Sequence, residues 1–98
     1  MPIKKIIKSG SDTYVIDASV SIDEINDEIK IDIPEGRYET LAGFIIDMLQ
    51  TIPEINTRTN FKGYRFTIIE LEKNKISKVQ IRVPSGQVKK NVIKFWSY

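Results

Sequence analysis

Cysteine and histidine are both absent from the 98 residues. Without cysteine there is no disulfide, no thiolate metal site and no cysteine nucleophile. Without histidine the commonest general base near neutral pH and the commonest transition-metal ligand are gone as well. Leucine is scarce, with three residues against eighteen isoleucines. No apolar run approaches the roughly 18 residues that a transmembrane helix needs. Met1 to Lys8 carries lysines but neither a long apolar stretch nor a small-residue cleavage site, so no signal peptide is expected. A soluble, intracellular-type, single-domain protein is the expectation these absences leave, and cytoplasmic is the localisation expected of it.

What is present points to mixed structure. Forty apolar residues suffice for one core and not for two. The isoleucine excess favours strands, because β-branched side chains are stiff and fit a pleated surface. Charge is divided unevenly. Residues 1–50 hold five Lys/Arg and ten Asp/Glu, a net of −5, and residues 51–98 hold ten and three, a net of +7. Such a split suggests a dipolar surface or a charge-complementary self-contact, or simply solvated faces of opposite sign.

Along the chain, Ile3 to Lys8 reads as a short strand, Ser9-Gly10-Ser11-Asp12 as a turn, and Thr13 to Asp17 as a strand that pairs back on the first. Ser21-Ile22-Asp23-Glu24 is a capping box, and Ile22, Ile25 and Ile29 follow at helical spacing toward an end near Lys30. Thr40 is the expected cap of a second helix, in which Leu41, Phe44, Ile45, Met48, Leu49 and Ile52 form one apolar stripe up to Pro53. Gly43 inside it implies a close neighbour, since glycine costs about 1 kcal/mol against alanine in a helix interior. Ile55 to Lys62 is irregular or a short edge strand, and Lys62-Gly63 is a turn. Tyr64 to Glu72 changes apolar face between Ile68 and Ile69, the mark of a bulge or of burial on both sides. A tight hairpin at Glu72-Lys73-Asn74-Lys75 leads into Ile76 to Val83. The expected class is α+β, an antiparallel sheet with two helices on one face in the order ββααβββ. The domain is expected over residues 1–83, followed by a basic aromatic tail at 84–98.

Few residues carry chemistry. Thr40 and Gly43, at a helix start, would offer backbone amides and a positive dipole end to a phosphate, and a cap with a close-packed glycine explains the same residues without a ligand. Asp17 would orient a ligand or bond its own following amides in a turn. Asp23/Asp27 and Glu24/Glu28 form an acidic helix face rather than a metal site, so no metal site is assigned. The lysines of the hairpin and tail match no nucleic-acid motif, and no nucleic-acid partner is expected. Phe95, Trp96 and Tyr98 in the tail would not stay exposed cheaply, and are expected to dock on this domain or on a second copy, giving a homodimer. With no base–nucleophile constellation in view, no enzyme is expected.

The segments YVIDASVSIDEIND, YETLAGFIIDMLQTIP and GYRFTIIELEKNKISKVQIRV, in this order, resemble the transporter-associated domain of the CorC/HlyC family from about Ile6 to Val83. Thr40-Leu41-Ala42-Gly43 and Ile52-Pro53 stand at the family's separation. Two positions depart from its pattern. Ala18 replaces the glycine after Asp17, and Ile55 and Asn56 stand near the place of a glycine-aspartate after the Ile-Pro pair. The resemblance implies a regulatory domain behind the membrane and CBS domains of haemolysin-like proteins associated with magnesium and cobalt efflux. It implies a cytosolic position, protein–protein contacts, no direct membrane insertion, and an excised domain or a solitary copy. It also implies a fold like the FAD-binding subdomain of certain flavoenzymes, so a sensor of FAD or an adenine nucleotide is the alternative function.

Overall fold

The computed structural model describes residues 5–84. The element order is β1 (Ile6–Lys8), β2 (Thr13–Asp17), α1 (Ile22–Ile29), α2 (Leu41–Leu49), β3 (Arg58–Phe61), β4 (Tyr64–Glu72) and β5 (Lys75–Arg82). The strands form one antiparallel sheet in the spatial order β1-β2-β5-β4-β3. The class and order expected from the sequence are the ones observed.

The register sorts the side chains by face. One row across the sheet runs Ile6, Ile16, Val79, Ile68, and the next includes Tyr14, Ile81 and Phe66. The helices cover this face. Ile22, Ile25 and Ile29 of α1 and Leu41, Phe44 and Ile45 of α2 join the same buried cluster. Phe44 packs edge-on against Tyr38 and Phe61, with centroids 5.1 and 5.2 Å away, and lies 5.7 Å from Phe66. The opposite face carries Thr13, Arg82, Arg65 and Asn60 in one row, and Val15, Gln80, Thr67 and Arg58 in the next. Among the described residues no polar or charged residue is buried in the core.

Local chemistry sets the ends of the elements. The Ser21 hydroxyl accepts from the Glu24 amide at 3.1 Å, which opens α1, and Lys30 closes it in the left-handed region at φ 59°. Asn26 then holds the returning chain. Its amide donates to the Ile33 carbonyl and accepts from the Ile33 N–H, both at 2.8 Å, and so seats Ile31 and Ile33 in the core. The two helix starts are stitched together. The Ile22 amide donates to Glu39 O at 2.9 Å, and the Leu41 amide to Val20 O at 3.0 Å.

The second helix ends earlier than its apolar stripe suggests. Gln50 turns left-handed at φ 61°, and its amide donates to Ile46 O at 2.7 Å. Ile52 therefore falls outside the helix and is 49% exposed, and the stop is Gln50 rather than Pro53. The β3–β4 and β4–β5 hairpins are tight, with positive φ at Lys62 and Gly63 and at Lys73 and Asn74. The β4–β5 register shifts between Ile68 and Glu70 and back between Glu70 and Leu71, an irregularity at the change of apolar face. The two departures from the family pattern cost the fold little. Ala18 is fully buried outside the left-handed region, and Asn56 adopts φ 73°, a conformation asparagine tolerates well.

Candidate functional site

A groove of about 550 Å³ runs between α2 and the turn that joins β4 to β5. Ala18, Ala42, Ile46 and Ile76 supply apolar walls, and Asp17, Ser19, Glu72 and Lys75 are among its polar members. Its size lies within the roughly 300–1,000 Å³ usual for small-molecule sites. The half-exposed Ile52 also lines it, so the residue that leaves the helix stripe gains a place here.

Thr40 lines this groove and Gly43 does not. The amides that a phosphate would need are already engaged. Leu41 N–H donates to Val20 O, Ala42 N–H to Ala18 O at 3.0 Å, and Gly43 N–H to the Thr40 hydroxyl at 3.2 Å. Phe44 N–H makes the first intrahelical bond, to Thr40 O. Gly43 instead faces Tyr38, because a Cβ built on it would stand 3.0 Å from the Tyr38 Cβ. The geometry thus shows Thr40 as a cap and Gly43 as a close contact. The close neighbour expected of Gly43 is Tyr38.

Asp17 stands at the mouth of the groove. Its Oδ1 accepts from the Ser19 amide at 2.9 Å and from the Ser19 hydroxyl at 2.6 Å. These two bonds hold its carboxyl below the usual range, with Lys5 and Lys78 adding smaller contributions against a modest burial cost. The turn geometry is therefore present at a residue that also lines the groove. Among the described residues, no group of three or more Asp or Glu side chains is placed to hold a metal ion. Phe95, Trp96 and Tyr98, the expected partner contacts, lie outside the described residues.

Sequence reading missed Tyr38, Asn26 and a facing pair of arginines. Arg65 and Arg82 are direct cross-strand partners. Counting outward from the two-residue turn at Lys73-Asn74 places them opposite each other, so the signal was in the chain.

Residues 7–85 match the family model of the transporter associated domain, CorC_HlyC. The chain is 36% identical over 77 residues to hemolysin C of Brachyspira hyodysenteriae, covering 76% of this chain and 29% of that protein. It is 29% identical over 80 residues to the polyamine export protein of Escherichia coli K12, covering 80% of this chain and 18% of that protein. It thus spans less than a third of the length of these curated relatives. A solved transporter-associated domain from a Xylella fastidiosa Temecula1 hemolysin, in complex with Mg++ and Mn++, superposes with a TM-score of 0.72 at 24% identity, over 82% of this chain and 98% of that one. Among the described residues no helix is long and apolar enough to cross a membrane. Sheet order, capped helices and family match agree, and the chain belongs to the CorC/HlyC transporter-associated domain family.

Proposed function

We propose that this domain is a non-catalytic regulatory part of a membrane cation exporter. In this reading it lies on the cytosolic side, beside the CBS domains of its parent protein, and modulates efflux of magnesium or cobalt through protein contacts. The observation that carries the reading is the family match over residues 7–85. The export activity in the name of the E. coli relative supports a cationic cargo, and the Mg++ and Mn++ complex of the Xylella domain supports a divalent one. A non-catalytic role is supported by a chain without cysteine or histidine. Residues 84–98 form the contact segment in this proposal, with Phe95, Trp96 and Tyr98 docking on the parent protein or on a second copy. Light scattering with and without residues 87–98 tests self-association, and an unchanged monomer in both forms removes that part.

The regulatory role is tested by exchange. The matching segment of the E. coli polyamine export protein is replaced with this chain, and polyamine export and tolerance to magnesium and cobalt are compared with a deletion of the segment. Export above the deletion supports an interchangeable regulatory domain. A well-expressed exchange protein that does no better than the deletion overturns it.

A sensor of FAD or an adenine nucleotide is the second reading, favoured by the size of the groove beside α2. A ligand that binds only the native state raises its melting temperature by mass action. A dose-dependent rise with one nucleotide supports the sensor, and no rise at millimolar FAD, ATP or AMP removes it.

A further inference from the structure

We infer that Arg65, Arg82 and Asn60 form a binding site for a phosphate group on the open face of the sheet. Arg65 and Arg82 are Cα partners across β4 and β5, and Arg65 and Asn60 are partners across β3 and β4, so the three side chains leave one face in one row. They line a hollow of about 190 Å³ that Gly63 and Pro84 complete.

Like charges directly opposite on a sheet repel, and the sequence has placed two guanidinium groups in that relation. Asp12 offsets one of the two charges and leaves the pair net positive. Asp12 Oδ2 lies 3.7 Å from Arg82 Nε, an ion pair too long for a direct hydrogen bond, and its Oδ1 already accepts from the Thr13 hydroxyl at 3.2 Å. Among the described residues no carboxylate lies within the 4.0 Å ion-pair limit of Arg65. Glu70 is occupied by Lys78 at 3.3 Å, further along the sheet, and Asp17 is held by Ser19. Arg58, in the neighbouring row, adds a third guanidinium to the same face.

The donor set selects the anion. Each arginine presents a planar fork, suited to two oxygens of one group. A carboxylate has two oxygens and satisfies a single fork. A phosphate can turn an edge to each fork with three free oxygens, the oxygen shared by the two edges also accepting from the Asn60 amide. The group could arrive as free phosphate or on a lipid headgroup, and the chemistry of recognition is the same.

The test uses the full chain. Inorganic phosphate is titrated against the isotope-labelled protein by NMR at low salt, with chloride at equal ionic strength as control. Flotation with phosphatidylcholine vesicles, with and without phosphatidic acid, tests the lipid source. Saturable shifts at Asn60, Arg65 and Arg82 that chloride does not reproduce are expected. Arg65→Gln and Arg82→Gln should each weaken phosphate binding at least tenfold, and Arg65→Gln, which breaks no ion pair, should leave the melting temperature equal or higher because the repulsion is relieved. A merely structural arginine pair would lower it. Vesicle binding that needs phosphatidic acid and falls in the double variant assigns a headgroup, and phosphate binding without vesicle binding assigns a soluble phosphate. Shifts matched by chloride, or phosphate binding unchanged in the double variant, overturn the site.

Discussion

Asp17 shows how one residue ties turn, groove and pH together. The Ser19 amide and hydroxyl both donate to its carboxylate, so its folded pKa lies below the unfolded value near 3.9. A depressed carboxyl contributes stability that is fully present above the unfolded value and is lost as pH falls through the folded one. Asp17→Ala removes both bonds and should cost about 1 kcal/mol at pH 7. For a domain of this size that corresponds to roughly 4–8 °C in melting temperature. The gap between variant and wild type should close as pH falls toward about 2, below the usual carboxylate range. Melting curves from pH 7 downward check it, and a gap that persists at low pH would assign the loss to packing instead. Gly43 belongs at this scale too. Its missing side chain makes room for Tyr38, whose ring meets Phe44 and whose hydroxyl donates to Pro34 O.

Elements follow from sequence wherever a local signal is complete. Ser21 and Thr40 mark both helix starts, and the paired left-handed residues of Lys62-Gly63 and Lys73-Asn74 mark the β3–β4 and β4–β5 hairpins. The reading failed at Ile52 because the apolar spacing continues past Gln50, and no glycine announces the left-handed stop. Asn26 was equally silent, since its partner Ile33 lies beyond the end of α1. Its amide acts there as a short piece of strand, donating and accepting at one residue. Asn26→Asp keeps an acceptor for the Ile33 N–H but turns a charged oxygen toward the Ile33 carbonyl. That change should cost about 1–3 kcal/mol at pH 7. Part of the loss should return in acid, where the protonated carboxyl donates again. Urea unfolding of variant and wild type at pH 7 and near pH 4 measures both effects. An equal cost at both pH values would show that the clasp does not depend on the donor. The groove was illegible for another reason. Its walls come from residues 17–19, 40–52 and 72–77, and only the folded sheet brings these together.

At the scale of the whole molecule, the core formed by the described residues runs from Ile6 to Ile81. A chain ending at Pro84 should therefore unfold in one cooperative transition, within a few degrees of the full chain's melting temperature. Calorimetry of both forms decides it, and a drop of more than about 10 °C would show that the tail packs on the core. The fold also gives the uneven charge of the sequence a direction. Asp23, Glu24, Asp27 and Glu28 are exposed on α1, on one side of the sheet, while Arg58, Arg65 and Arg82 stand on the other. Stacked layers are about 10 Å apart. At physiological salt a surface potential fades over about 8 Å. A charged neighbour therefore senses mainly the layer turned toward it. The net charge of +2 is then a poor guide to encounters. Near an anionic surface the domain behaves as a cation or as an anion according to its orientation, and the encounter itself selects which side arrives first.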